Sequence, residues 1–288
     1  MNNLSYIEKL IAQLRDIEPI IDEMFNNSSI YFHDPNDRHS AVVFLNPRVF
    51  HWDKKDEKNQ IVAKEKYLKF YQNFELLFEK AQPKTKNGID KANKEIINLI
   101  EQDRAPSSIE NGKKNFREQT KVFIDFLRLL ENGEKANIIL PDTNSIIQYS
   151  EPTDYSKISP SKSFDFVILP TVLSELDKLK MTHRNEDFRK KVVSVIKRLK
   201  GYRKQGDVLK GVTVSKTITV KMIATEPNFS KTLSWLDPEN NDDRIIANSL
   251  ELQISHPGDN VILVTSDINL QNKAQLANLT VFDTDELE

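Results

Sequence analysis

Over the first 135 residues, apolar positions recur at intervals of three and four. From Leu4, they fall at Ile7, Leu10, Ile11, Leu14, Ile17, Ile20, Ile21 and Met24. This predicts an amphipathic helix interrupted at Pro19, because proline lacks a backbone donor and crowds the preceding turn. A second stripe runs through Ile61, Tyr67, Leu68, Tyr71, Phe74, Leu77 and Phe78 and ends near Pro83. "KANKEIINLIEQ" supplies a third. Phe116 to Leu130 forms a fourth, stopped at "ENG", where Gly133 can supply a left-handed cap. The stretch "SSIYFHDPNDRHSAVVFLNPRVFHW" has neither period and reads as an irregular link with one short strand. Helix packing accounts for all of these stripes, and no catalytic constellation lies among them.

After Gly133 the pattern changes. "NIIL", "DFVILP", "GVTVSKTITVKMI", "NVILVTSD" and "LTVFD" are short apolar or β-branched runs separated by helical segments. Strand–helix alternation with near-continuous apolar strands predicts a parallel sheet covered on both faces. A chain of 288 residues exceeds the usual size of one domain. The expected organisation is a mainly α-helical domain over residues 1–135 and a doubly wound α/β domain over 136–288. No internal repeat is visible.

Composition narrows the chemistry. The chain has no cysteine, which removes disulfides, thiolate catalysis and zinc–thiolate sites. Its five histidines are scattered without ligand spacing. No apolar run is long enough to span a bilayer, and the N-terminus alternates charge with apolar residues, unlike a signal peptide. A cytoplasmic address with no membrane partner is the expectation. With a net charge of −2, any attraction for nucleic acid must come from a local patch.

Chemistry concentrates where strands end. In open parallel sheets, ligands bind beyond the carboxyl ends of the strands. Asp142 follows "NIIL" and Asp267 ends "VILVTSD", so two strands present an acid at one edge. Glu175 and Asp177 lie in "PTVLSELDKLK", while Asp242 and Asp243 open the helix "NNDDRIIANSLEL". Taken singly, helix capping explains Asp142, Asp242, Asp243 or Asp267. Glu175 alone reads as a solvated helix residue. Together they resist that explanation, because like charges about 4 Å apart cost about 4 kcal/mol per pair at an effective dielectric near 20. An all-oxygen cluster with no histidine or cysteine favours Mg²⁺ or Mn²⁺.

These stretches, "ILPDTNSII", "LPTVLSELDKLK", "NNDDRIIANSLEL" and "LVTSDINLQNKA", resemble in order the four acidic motifs of the PIN domain family. The resemblance covers about residues 136–288, and its most specific piece is "TSDINLQNKA". It implies a metal-dependent ribonuclease whose motif acids are Asp142, Glu175, Asp243 and Asp267. These acids would be both the catalytic and the metal-binding residues, with Asp142 and Asp267 as direct ligands. Asp243 fits the third motif better than Asp242, since Ala247 then takes the family's small-residue position. Asn144 and Thr265 match the small polar residues flanking the first and last acids and would fix carboxylate rotamers. Implied products carry 5′-phosphate and 3′-hydroxyl ends. Implied roles range from toxin or defence effector to RNA processing.

The segment "HRNEDFRKKVVSVIKRLKGYRKQG" concentrates positive charge around an apolar stripe. Lys190, Lys197, Arg198, Arg203 and Lys204 are its candidate RNA contacts, with Tyr202 as a base-stacking candidate. A solvated helix face is the plainer explanation. Single-stranded DNA is a second admissible substrate, and the helical region is a candidate surface for self-association or a protein partner. Phosphatases of the haloacid-dehalogenase type need an aspartate two residues after the first, where this chain has Asn144. Phospho-receiver domains are shorter and lack the "TSDINL" feature. No P-loop pattern is present. The strongest rival is a PIN fold kept only as an RNA- or protein-binding scaffold; intact acids at all four motif positions count against it.

Overall fold

The computed structural model describes residues 4–33, 49–131 and 135–288. Contacts divide the chain into two compact units, Ile7–Glu131 and Asn132–Glu288, the latter also taking in the residues up to Tyr6.

Among the described residues, the first unit is built from the helices α1 (Tyr6–Asn26), α2 (Glu57–Phe78), α3 (Pro83–Glu101) and α4 (Ile109–Leu129). α1 passes through Pro19 without a break. Pro19 is exposed, so the carbonyl it leaves unpaired can bond water, while Ile7, Leu10, Leu14, Ile17, Ile21 and Met24 stay buried beneath it. The α2 stripe is also rotated from the sequence expectation. Ile61 and Leu68 are exposed, and the buried face carries Ala63, Tyr67, Phe70 and Phe74. Aromatic area decides this face: Phe74 meets Phe123 of α4 edge-on at 4.8 Å and Phe78 stacked at 4.6 Å. Pro83 opens α3 at its first position, where a missing donor costs nothing. The link between α1 and α2 contributes two antiparallel strands rather than one, β1 (Ser29–His33) and β2 (Val49–Lys54). The expected cap at Gly133 lies outside the described residues.

The second unit holds a six-stranded sheet in the order β5-β6-β4-β3-β7-β8. Its strands are β3 (Asn137–Pro141), β4 (Phe164–Ile168), β5 (Val212–Ser215), β6 (Ile218–Met222), β7 (Asn260–Val264) and β8 (Thr280–Phe282). All neighbours are parallel except β5 and β6, a hairpin closed at Lys216–Thr217. What reads as one β-branched run, "GVTVSKTITVKMI", is thus two strands. The helices are α5 (Thr143–Gln148), α6 (Pro170–Thr182), α7 (Glu186–Gln205), α8 (Asn241–Ser255) and α9 (Ile268–Leu276). β3, β4 and β7 are buried over most of their length, as expected of strands covered on both faces. The chain runs from β3 outward through β4 to the β5–β6 hairpin at the edge, then returns to lay β7 on the other side of β3. The order therefore reverses between β3 and β7, the place where open α/β sheets bind ligands.

Candidate functional site

The register of β3 against β7 pairs Pro141 with Val264. The next residue on each chain, Asp142 and Thr265, emerges side by side at the reversal point. Asp142 donates its N–H to the Val264 carbonyl at 3.0 Å. Its side chain caps α5, Oδ1 accepting from the Ser145 N–H at 2.7 Å, while Oδ2 accepts from Thr265 Oγ1 at 2.5 Å. Thr265 is fully buried and its Oγ1 also accepts the Asp267 N–H at 3.0 Å. One hydroxyl thus ties the first motif to the last. Asp267 caps α9 through Asn269 and Leu270 and is exposed. The capping explanation is correct as geometry for both acids, and Thr265 joins the segments that carry them.

Glu175 reaches this corner from α6. Thr143 Oγ1 donates to its Oε2, and Asn241 Nδ2 donates to Oε1 at 2.7 Å. α8 is capped by Asn240 rather than by either aspartate. Asp243 is buried, its Oδ2 accepting from the Asp237 N–H at 2.9 Å. Its Oδ1 lies 2.7 Å from the Lys273 ammonium in an ion pair not aligned as a hydrogen bond. Asp242 is half-buried, 3.6 Å from the same ammonium.

Electrostatics links the groups. Burial pushes the Asp142 carboxyl up, opposed by the bonds from Ser145 and Thr265 and reinforced by the charge of Glu175. Burial also raises Asp242; Lys273 opposes, and Asp267 and Glu175 reinforce. Burial works to lower Lys273, but Asp243 and Asp242 together outweigh it and raise it. Asp142 is thus within reach of the Glu175 charge, and Asp242 within reach of both Glu175 and Asp267, while Asp243 is pinned between a backbone donor and Lys273. Among the described residues, no three carboxylate or imidazole groups are placed to ligate one ion directly. The donor set still fits a hard cation that keeps its water, since Mg²⁺ is commonly held through one or two carboxylates and several waters.

Comparison with protein families matches residues 119–285 to the PIN domain, more than half of the chain. The chain belongs to the PIN domain family. PIN domains are in general nucleases, so this is a nuclease-type fold. No curated protein matches the chain significantly. Among the described residues, no helix is long and apolar enough to cross a membrane.

In this PIN domain the supporting contacts come partly from unexpected residues. Thr143 and Ser145 hold the acids, whereas Asn144 between them is exposed. Asn241 and Lys273 were also missed. Both sit in the quoted motifs, but nothing in a one-dimensional pattern shows that a lysine two turns into α9 reaches back to α8. The basic helix α7 divides. Lys197, Arg203 and Lys204 are exposed, and Lys190 is exposed but pairs with Asp187 at 3.1 Å and Glu186 at 3.6 Å. Arg198 instead donates to Ser150 Oγ and pairs with Glu151 at 2.5 Å, clamping α7 to the segment after α5. Tyr202 is buried, and burial raises its phenol, so it belongs to the core rather than to a stacking surface.

Proposed function

We propose that the protein is a metal-dependent endoribonuclease acting at the corner shared by Asp142, Glu175, Asp243 and Asp267. The observation that supports this reading is Thr265, whose buried hydroxyl donates to the Asp142 carboxylate and accepts the Asp267 backbone N–H, tying the two acid-bearing segments at the strand-order reversal. Asp142 and Asp267 would hold Mg²⁺ or Mn²⁺ directly. Glu175, fixed by Thr143 and Asn241, would orient the attacking water; Asp243 would position α8, and Asp242 would add charge beside it. The cation, when bound, supplies Lewis acidity and neutralises charge developing on the phosphodiester. Thr265 keeps the Asp142 carboxylate in one rotamer, so little reorganisation is left to the reacting state.

RNA would approach along the exposed lysines and arginine of α7, with single-stranded DNA as the competing substrate. The helical residues 1–135 are proposed as a separate domain for assembly or partner binding; the exposed Ile61 and Leu68 support this. Satisfied capping at Asp142 and Asp267 favours a second reading, an inactive scaffold that binds RNA or protein. Labelled single-stranded and structured RNAs incubated with Mg²⁺, Mn²⁺ or EDTA separate the two. Cation-dependent cleavage abolished by Asp142→Asn is expected. Binding without cleavage under every cation leaves the scaffold.

A further inference from the structure

A second feature lies at the same sheet edge, away from the acids. Two cavities, of about 210 and 350 Å³, share Leu173, Arg203 and Met222 and so form one continuous groove. The larger alone falls in the range of about 300–1,000 Å³ typical of small-molecule sites. Leu176, Ile196 and Leu199 complete an apolar wall contributed by α6 and α7. Lys200 and Arg203 add two exposed cations. The exposed Asp177 and Asp207 supply acceptors, Asp207 already accepting the Leu209 N–H at 3.0 Å.

The position matters as much as the lining. Met222 ends β6, and the Ile223 N–H closes onto the Ile168 carbonyl at 3.0 Å, so the groove opens at the carboxyl ends of β6 and β4. β4 pairs with β3, whose end carries Asp142. Two strand spacings, about 10 Å, separate the ends of β6 and β3. α6 stands between, with Leu173 and Leu176 on the groove and Glu175 bonded to Thr143 and Asn241 at the acids. An apolar slot of this size beside paired cations complements an unstacked base with its phosphate. It is too small for a partner helix, and the cations disfavour a purely apolar guest.

Resting on the nuclease reading for the identity of the chain it serves, we propose that this groove is a nucleotide-binding subsite. It takes one unpaired nucleotide of the RNA, with the base against Leu173, Leu199 and Met222 and the phosphate on Arg203 and Lys200. Asp177 faces the base edge and favours bases with an exocyclic amino donor. The subsite would fix which phosphodiester reaches the acids.

The test uses the full chain in EDTA with RNA decamers carrying 2-aminopurine at successive positions. The expected result is a fluorescence change confined to one or two neighbouring positions. Leu173→Glu should erase it and weaken binding about tenfold, equivalent to about 1.4 kcal/mol. The exposed Arg203→Ala, which leaves the core untouched, should weaken binding and reduce the salt slope by about one. A uniform or absent signal, with unchanged affinity in both variants, overturns the subsite while leaving RNA binding intact. No binding of RNA by the wild type overturns the subsite and the RNA reading together. A localised signal in a protein that never cleaves leaves the subsite standing and sinks only the nuclease reading.

Discussion

Replacing Lys273 by methionine removes the cation that, among the described residues, pairs with Asp243, while keeping a long apolar stem. Asp243 is 5% exposed and, among the described residues, its buried carboxylate would be left with the Asp237 N–H as its hydrogen-bond donor. Breaking a fully buried pair costs about 3–5 kcal/mol, whereas an exposed pair is worth about 0–1 kcal/mol. The Lys273 side chain retains 27% exposure, which places this pair between the limits, at about 2 kcal/mol. For a domain of this size that corresponds to a melting-temperature loss of about 4–8 °C. Melting curves followed by circular dichroism in EDTA at neutral pH measure it. Asp243→Asn in the Lys273→Met background should recover most of the loss, because the unpaired charge is gone; the double-mutant cycle isolates the pair. Added Mg²⁺ should stabilise Lys273→Met more than the wild type, since the ion restores the missing positive charge. A Lys273→Met protein within about 0.5 kcal/mol of wild type, in the range of ordinary surface substitutions, refutes the pairing argument. So does a double variant no more stable than the single one.

Asp142→Asn should keep the cap of α5, because Asn caps about as well as Asp, and leave the metal-free protein at least as stable. It should lose cleavage and most of the stabilisation by cation, about 2.7 kcal/mol at a hundred times the dissociation constant; equal metal responses in calorimetry would make Asp142 a cap alone. The same residue predicts a pH dependence. Its carboxyl is raised in the folded state, so its contribution to metal-free stability is present below the ordinary carboxylate range and lost as pH climbs through the raised value. Denaturant titrations between mildly acidic and neutral pH should show a shallower decline in Asp142→Asn than in wild type. On α7, neutralising Lys197 and Lys204 should weaken RNA binding and flatten its salt dependence, whereas Arg198→Ala should instead lower the melting temperature. Gly112→Ala should destabilise the helical unit by about 1–3 kcal/mol, since the added carbon would lie 3.0 Å from Pro106 and 3.2 Å from Phe25; an unchanged melting curve shows that α4 can shift to admit it.

The alternation of apolar runs with helical segments after Gly133 determined the doubly wound class, because buried parallel strands must be apolar on both faces and their crossovers must be helices. The pattern placed Asp142 directly after an apolar strand and Asp267 in the short link from a strand to the next helix, and both positions lie at the carboxyl edge of the sheet. The helical character of the first unit was equally local, whereas the tolerance of Pro19 within α1 depends on its exposure, which the chain pattern does not carry. Tertiary structure decided the rest. The choice between the Ile61 and Ala63 faces of α2 depended on Phe123, a partner some fifty residues away. The division of α7 into a clamp at Arg198 and an exposed basic face required Ser150 and Glu151 to arrive beside it. The site itself shows the limit most clearly. Thr265 meets Asp142 across 123 positions of sequence, and Lys273 meets Asp243 across a helix junction. Pairings of that kind are fixed by strand register and helix packing, and they leave no period in the chain to read.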